Sequence, residues 1–529
     1  MADLIHELLL HSARRTPQQE ALTYQRKRLD YGALATLVVD CAAALLNLKL
    51  HRSERVAVYL EKRPETVAAM FGAAAAGGVF VPVNPLLKPD QVAYILWDCN
   101  VRILVTSVER LKLLASHLLE CPDLRAVIVV GGRAEPVGEL EVVAWEEALS
   151  DRTTAPAHRV IDADMAAILY TSGSTGKPKG VVLSHRNMVA GARSVAQYLE
   201  NHSGDRILSA LPLSFDAGFS QLSTAFHVGA SVTLINYLVP RDIITAVEQE
   251  RITGLTAVPP LWIQLAQLKW PESARNSLRY IANTGGRMPK ATLAALRAAL
   301  PNTLPFLMYG LTESFRSTFL PPSEVDRRPD SIGKAIPNAE VMVVREDGTP
   351  CAPGEPGELV HRGALVSLGY WNDPAKTAER FKPAPGQPQG LVMRELAVWS
   401  GDTVQMDEEG FLYFISRRDE MIKTSGYRVS PTEVEEVIYA TGLVGEAAAL
   451  GIPHPVLGQA IVVVATGRDG ARLDAEELLT RCRHQLPAFM VPARVTVREG
   501  SLPRNPNGKI DRKLMAQEMQ DLFEADSNA

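Results

Sequence analysis

The chain is poor in cysteine, and its cysteines are in no metal-binding register. Cys41, Cys99, Cys121, Cys351 and Cys482 are five in number, and no two form CxxC. That spacing excludes a zinc ribbon and a disulfide framework, and the odd count fits a reducing, cytoplasmic compartment. Neither sign of charge prevails: 55 Lys and Arg stand against 60 Asp and Glu, for a net charge of −5. No nucleic-acid-coating surface is expected from that balance. Uncharged runs are scarce as well. One of them, Thr66 to Leu87, is mostly alanine in its first half and is broken by Gly77, Gly78, Pro82, Asn84 and Pro85. A membrane span needs about 20 strongly apolar residues. The run reads instead as a buried helix over Glu65–Ala76 and a buried strand over Val79–Val83. The opening MADLIHELLL carries acids where a secretory leader needs lysine or arginine. There is no internal repeat and no low-complexity tract. With 46% hydrophobic and 22% charged residues, the 529-residue chain is globular in composition. Disorder, collagen and coiled coil are thereby excluded as its main class, and the length allows a large core.

Strand and helix patterns alternate through the first half. Helices are expected over 31–49, 65–76, 89–98 and 109–119, with strands RVAVYL, VFVPV, RILVTS and AVIVV between them. Such alternation implies a parallel sheet with crossover helices. From about residue 330 the pattern changes to short strands (AEVMVV, GELVHRG, AVWSGDTVQMD, GFLYFIS) separated by Gly, Pro and Asp turns, the pattern of a small β-barrel or sandwich. After Arg418 a compact α+β unit begins, with Ser430-Pro-Thr-Glu433 reading as a capping box at a helix start. The expected class is α/β: a large N-terminal domain over 1–417 with a β-barrel part at 330–416, and a small α+β lid over 418–529.

The strongest local signal is Tyr170-Thr-Ser-Gly-Ser-Thr-Gly-Lys-Pro-Lys-Gly180 between two apolar runs. Glycines 173, 176 and 180 free the backbone, while Thr171, Ser172, Ser174, Thr175, Lys177 and Lys179 supply hydroxyls and ammonium groups suited to phosphate oxygens. It is not a P-loop, because Lys177 is followed by proline and the next element reads as a strand. Tyr309-Gly310-Leu-Thr312-Glu313 pairs an aromatic face with a carboxylate fit for a hard cation. Asp402, in Trp399-Ser-Gly-Asp, reads alone as a turn residue. Residues 417–428 read alone as a charged interdomain linker. Asn507-Gly508 makes a tight turn that puts Lys509 on its far side. His185 reads either as a general base or as a structural hydrogen-bonder. Neither a Ser-His-Asp arrangement nor GxSxG spacing accompanies it, so a hydrolase is rejected.

Taken in order, these motifs resemble the adenylate-forming superfamily: acyl-CoA synthetases, aryl-CoA ligases and nonribosomal peptide synthetase adenylation domains. The resemblance spans nearly the whole chain. A narrower likeness, to acyl-CoA ligases associated with exosortase and exopolysaccharide loci, rests on LLKPDQVAYIL, RRPDSIGKAIPNAE and KTSGYRVSPTEVEEVIYATGLV.

The resemblance implies the following roles. ATP is held by Thr171, Ser172, Gly173, Ser174, Thr175, Gly176 and Lys177, by Gly285 and Gly286 in NTGGRMP, and by Tyr309, Gly310, Thr312, Asp402, Arg417, Arg428 and Lys509. Tyr309 lies by the adenine, Thr312 contacts the α-phosphate, and Asp402 with Arg417 takes the ribose. Thr171 and Glu313 hold Mg²⁺. Lys509, Thr171, Glu313 and Lys423 are the catalytic set. Asp419 is the hinge, and Lys423, Gly426 and Arg428 belong to the face presented to the thiol. His185, Phe215, Asp216, Gly285 and Met308 line the acyl pocket. Arg287 stands where a smaller or acidic residue is expected, which puts that wall in question.

The implied reaction forms an acyl adenylate from a carboxylic acid and ATP, then transfers the acyl group to CoA or to a phosphopantetheinyl carrier protein. No nucleic acid or membrane span is expected, and the protein is expected as a monomer or homodimer. An acyl-CoA synthetase, a ligase that loads a carrier protein, and a nucleotide-binding scaffold without turnover remain as readings. The presence of Thr171, Glu313, Asp402, Arg417 and Lys509 together argues against the scaffold. Asp216 carries the question of the acid. It pairs with a substrate ammonium if the acid is an amino acid; otherwise it caps the next helix or pairs with a neighbouring cation.

Overall fold

The computed structural model describes residues 2–150, 157–171, 178–388, 390–417, 421–424, 427–454, 457–505 and 508–523. Two large sheets and one small one account for the strands. In the first, Glu20–Tyr24, Ser231–Leu234, Arg206–Ser209, Gly254–Ala257, Tyr280–Asn283 and Leu304–Tyr309 run parallel in that spatial order. The sheet then turns antiparallel through Thr318–Leu320 and Ser331–Ala335. It continues into Leu412–Arg417, Leu396–Met406, Gly357–Gly363 and Ala339–Val344. The short-strand region expected from residue 330 is thus hydrogen-bonded onto the parallel sheet rather than set apart from it.

The second sheet pairs Arg55–Tyr59, Val79–Pro82, Val101–Ser107 and Ala126–Val130 in parallel, as the alternating pattern predicts. Met165–Thr171 joins it in parallel, and Lys179–Ser184 folds back antiparallel on Met165–Thr171.

The main core lies between these two sheets and is built on small residues. The uncharged run forms helix Pro64–Ala76, with proline at its first turn and Gly77 in the left-handed conformation (φ +86°) at its end. The next strand is Val79–Pro82. The helix is apolar all round because it is buried on every side. Gly72 keeps the crossing with helix Tyr31–Asn47 close, since a Cβ there would lie 3.0 Å from Cys41 Sγ. Phe71 and Phe80 both stack on Phe219, whose helix Asp216–Val228 runs through the same core. No helix among the described residues is long and apolar enough to cross a membrane, and all five cysteines are free thiols.

The small C-terminal domain is a mixed sheet buried on both faces. Along Val444–His454, Ala447 and Ala449 face one apolar cluster while Ala448 and Leu450 face another. This is the two-residue period of a strand. Helices Pro431–Ala440 and Ala475–Gln485 contribute to the first cluster and Arg512–Glu518 to the second. The helix expected after Ser430 begins at Pro431, but the capping box does not form. Ser430 makes no side-chain cap, and its buried Oγ has no partner among the described residues.

Candidate active site

Loops at the carboxyl ends of parallel strands are where α/β sheets bind ligands. Here those ends collect most of the motifs. Strand Leu304–Tyr309 delivers Tyr309, whose ring packs 6.3 Å from Phe414. Its hydroxyl donates to Asp402 Oδ2, and Arg417 Nε donates to Asp402 Oδ1 at 3.0 Å. Asp402 and Arg417 face each other directly across the strands Leu396–Met406 and Leu412–Arg417. Asp402 is 2% exposed. Burial pushes its carboxyl above the ordinary range, and the Arg417 charge opposes that rise. Each carboxylate oxygen is oriented by one donor and keeps lone pairs for a diol.

The turn after Tyr280–Asn283 passes through Gly285 with φ +76°, a conformation that favours glycine. Asn283 Nδ2 braces the turn by donating to the Gly286 carbonyl at 2.8 Å. Lys509 of the small domain reaches this same turn. A Cβ on Gly285 would lie 3.7 Å from Lys509 Cε. Backbone contacts hold the lysine: Asn505 N–H donates to the Lys509 carbonyl at 2.8 Å, Lys509 N–H donates to Asn505 Oδ1 at 3.1 Å, and Arg504 bridges Ile510.

Thr171 pairs with Lys179 in the antiparallel register of strands Met165–Thr171 and Lys179–Ser184. Ser172, Gly173, Ser174, Thr175, Gly176 and Lys177, expected to hold ATP, lie outside the described residues, as do Asp419 and Gly426. Lys423 and Arg428 lie opposite each other on strands Ile422–Thr424 and Tyr427–Val429; only their backbone is described.

Glu313 sits in the turn Thr312–Ser314, and its Oε1 accepts the Tyr370 hydroxyl at 2.5 Å. Lys179 Nζ lies 5.1 Å from the centre of the Tyr370 ring. Burial lowers the Lys179 pKa, and Glu313 counteracts that. The sequence reading gave Tyr370 no role. Its motif, Gly369-Tyr-Trp-Asn, carries no spacing that would single it out.

On the acyl side the structure separates the expected residues. Met308, 6% exposed, lines a small cavity and accepts a hydrogen bond from Tyr198 OH at 3.0 Å. Phe215 is the half-buried N-cap of helix Asp216–Val228. Asp216 is that helix's first residue; its Oδ1 accepts Ala217 N–H at 2.7 Å and its Oδ2 pairs with Arg316 at 2.9 Å.

His185 is a correction to the sequence reading. It is fully buried at the start of helix His185–Tyr198, and its Nδ1 accepts Ile5 N–H at 3.1 Å. Its ring packs against His6 at 6.1 Å. Because Ser184 caps the helix, the next side chain is turned towards the N-terminal helix Ile5–Arg15 and away from the Met308 cavity. Its place is that of a structural hydrogen-bonder, the other reading the sequence left open.

Residues 9–371 match the model of the AMP-binding enzyme family, and 433–509 match that of the AMP-binding enzyme C-terminal domain. The chain belongs to the AMP-binding enzyme family. Among its relatives, the L-proline--[L-prolyl-carrier protein] ligase of Streptomyces coelicolor is 33% identical, over 92% of this chain and 91% of that one. The feruloyl-CoA synthase of an Amycolatopsis species is 31% identical, over 94% and 95%. The solved O-succinylbenzoate coenzyme A synthetase of Bacillus subtilis, in complex with ATP and magnesium ion, superposes with a TM-score of 0.80 at 25% identity. It covers 96% of this chain and 98% of that one.

In this AMP-binding enzyme the anomalous Arg287 has a place of its own. Its Nη2 pairs with Glu436 of the small domain at 2.7 Å and also with Asp330, which in turn holds Lys290 at 2.8 Å. Arg287 therefore bridges the large and small domains beside the turn that Lys509 approaches.

Proposed function

We propose that the protein is an ATP-dependent, AMP-forming acid–thiol ligase that makes an acyl-CoA by way of an acyl adenylate. The observation that carries this reading is the convergence at one place of Lys509 from the small domain, the Gly285 turn, and the Tyr309–Asp402–Arg417 cluster of the large domain.

In the first step a carboxylate oxygen of the acid attacks the α-phosphorus of ATP. The bond to the bridging oxygen breaks, and pyrophosphate leaves with its electrons. Tyr309 flanks the adenine, Asp402 and Arg417 fix the ribose, Thr312 contacts the α-phosphate, and residues 171–177 cradle the leaving phosphates. Lys509 sits beside the reacting group, where a fixed positive charge stabilises the charge that develops. Thr171 and Glu313 offer hard oxygen donors. With one Glu313 oxygen held by Tyr370, the other remains for Mg²⁺, which would screen the triphosphate. In the second step a thiol attacks the acyl carbon and AMP leaves. Lys509 has to withdraw first, so we place the mobile boundary at 417/418, the pivot at Asp419, and the thiol-facing surface at Lys423, Gly426 and Arg428.

Asp216 decides the class of acid within this reading. Its charge is already met by Arg316, so an ammonium group has no free carboxylate to meet. We therefore take the acid to lack an α-amino group. The segments LLKPDQVAYIL, RRPDSIGKAIPNAE and KTSGYRVSPTEVEEVIYATGLV support membership of the exosortase-associated acyl-CoA ligases, and the free thiols support a cytoplasmic site. The test is pyrophosphate release with ATP and Mg²⁺ over fatty, aryl, hydroxy and amino acids, followed by thioester formation with CoA or a phosphopantetheinyl carrier. No release with any acid overturns the ligase reading. Thioester on the carrier alone overturns CoA as acceptor.

The Arg287–Glu436 pair gives a smaller prediction. Asp330 already orients Arg287, so docking the small domain costs little further side-chain entropy. Arg287→Ala should slow pyrophosphate release about two- to fivefold, the worth of one half-exposed ion pair of about 0.5–1 kcal/mol. The gap between variant and wild type should close at about 1 M salt, where the screening length falls to about 3 Å. A gap that persists at high salt would mean that the pair does not act through charge.

A further inference from the structure

Arg316 lies three residues after Glu313, the end of the Tyr309–Glu313 motif, and the backbone before it is in an unusual state. Phe315 has φ +57° and ψ −47°, and Arg316 N–H donates to the Ser314 carbonyl at 2.5 Å. This is a γ-turn with positive φ at its centre, a rare and strained conformation for a bulky residue. It is held in place by packing. Phe315 is fully buried against Gly191, where any Cβ would come within 2.3 Å of its ring. The consequence is that Arg316 points inward.

The Arg316 guanidinium is 3% exposed. Its Nη1 donates to Asp216 Oδ2 at 2.9 Å and to the Phe315 carbonyl at 2.6 Å. Its Nε has no partner among the described residues. Arg316 lines the cavity that also meets Met308, Ser220, Thr224, Thr256 and Tyr280. The cavity measures about 20 Å³, room for one small group. Met308 immediately precedes Tyr309, so the cavity lies behind the strand end where the acid is activated.

We propose that Arg316 is the specificity-determining residue of the acyl pocket, and that the acid it selects is short and carries a neutral oxygen acceptor, a hydroxyl or an oxo group. The inference rests on the ligase reading above and adds the substrate class. A buried N–H without an acceptor bears the full cost of desolvation, and a substrate oxygen removes that cost. The acceptor is neutral because Asp216 already balances the guanidinium; a second carboxylate would leave a net buried negative charge. An ammonium group would face Arg316 itself. A long alkyl chain would have to displace the ion pair and fill space that is not there.

The test compares kcat/KM for ATP–pyrophosphate exchange by the full-length protein. The acids are butyrate, 2-, 3- and 4-hydroxybutyrate, 3-oxobutyrate, succinate, proline and octanoate. At least one hydroxy or oxo acid should exceed butyrate by about tenfold or more, since a site built around a hydrogen bond rejects the analogue that lacks the partner. Arg316→Met removes the donor at similar volume and should bring that ratio close to one. Arg316→Lys keeps a cation for Asp216 but lacks Nε. It should also lose the ratio, and it guards against a Met variant that fails to fold, as judged by thermal melting. Preference of the wild type for butyrate, octanoate, succinate or proline overturns the inference while leaving the ligase reading intact. So does an unchanged ratio in a folded variant, which would mean that the cavity holds only water. Exchange with no acid at all overturns both.

Discussion

Lys509→Ala is expected to slow acyl-adenylate formation about 10²–10³-fold, the usual cost of losing one donor aimed at developing charge. Thioester formation from presynthesised acyl adenylate should stay near the wild-type rate. The reason lies in where the lysine is mounted. Its side chain is exposed on the small domain, and its Cε approaches the Gly285 turn of the large domain. Removing its amine leaves both cores unchanged, so a general loss of stability is not expected. The two half-reactions are measured separately, by pyrophosphate release with ATP and by thioester yield from supplied adenylate. If both fall together, a single arrangement of the domains serves both steps, and the account of a withdrawing lysine is wrong.

The second large effect is on stability in mild acid. Burial holds His6, His185 and His361 down to about 4, and neighbouring histidine charge adds to the lowering at His6 and His185. His185 gives its Nδ1 to Ile5 N–H, and His361 Nδ1 lies 3.0 Å from Ser317 Oγ. Unfolded, each would take up a proton near the ordinary histidine value of about 6.5. The unfolded state therefore binds more protons between about pH 6.5 and 4. Stability should be flat above that window and fall through it, by about 3 kcal/mol for each histidine. Asp402 and Glu436, held above the ordinary carboxylate range by burial, act in the opposite sense over part of the window. Depressed carboxylates such as Asp205 lose their contribution at lower pH. Denaturant midpoints recorded from pH 8 to 4 measure the slope. His185→Asn keeps an acceptor for Ile5 N–H but does not titrate, and should make the slope shallower. A slope unchanged in that variant would remove His185 from the account.

The proposed site is read from residue types at fixed short spacing, as in Tyr309 to Glu313 and the turn before Lys509, and from the family resemblance, without which Asp402 reads as a turn residue. The structure brings Tyr309, Asp402 and Arg417 into direct contact. The fold was legible where the pattern is physical. The alternating apolar runs became a parallel sheet, and the alanine-rich run became a helix buried on all sides. What the sequence hid were partnerships between distant residues. Nothing near Asp216 indicates that its cation is Arg316, because the link depends on the backbone setting of Phe315 and on a glycine at 191. His185 was misplaced for a similar reason: its partner is at Ile5, and no local signal joins a strand end to the N-terminal helix. Arg287 looked anomalous only as a pocket wall; as one half of an interdomain ion pair its charge is needed.

The first sheet is hydrogen-bonded without a break from its parallel half into its antiparallel half. Tyr309 stands in one half, Asp402 and Arg417 in the other, yet all three belong to one stiff fabric. Lys509 belongs to a different body. On the proposed assignment of Tyr309, Asp402 and Arg417 to the nucleoside, that group would be the stationary frame of the catalytic cycle. AMP would then stay clamped from the first bond change to the last while chemistry is exchanged around it, and the thiol would meet the acyl group at the address where the phosphate left it. Variants that hinder motion of the small domain should then leave nucleotide affinity alone, because the proposed grip on the nucleoside stays with the large domain.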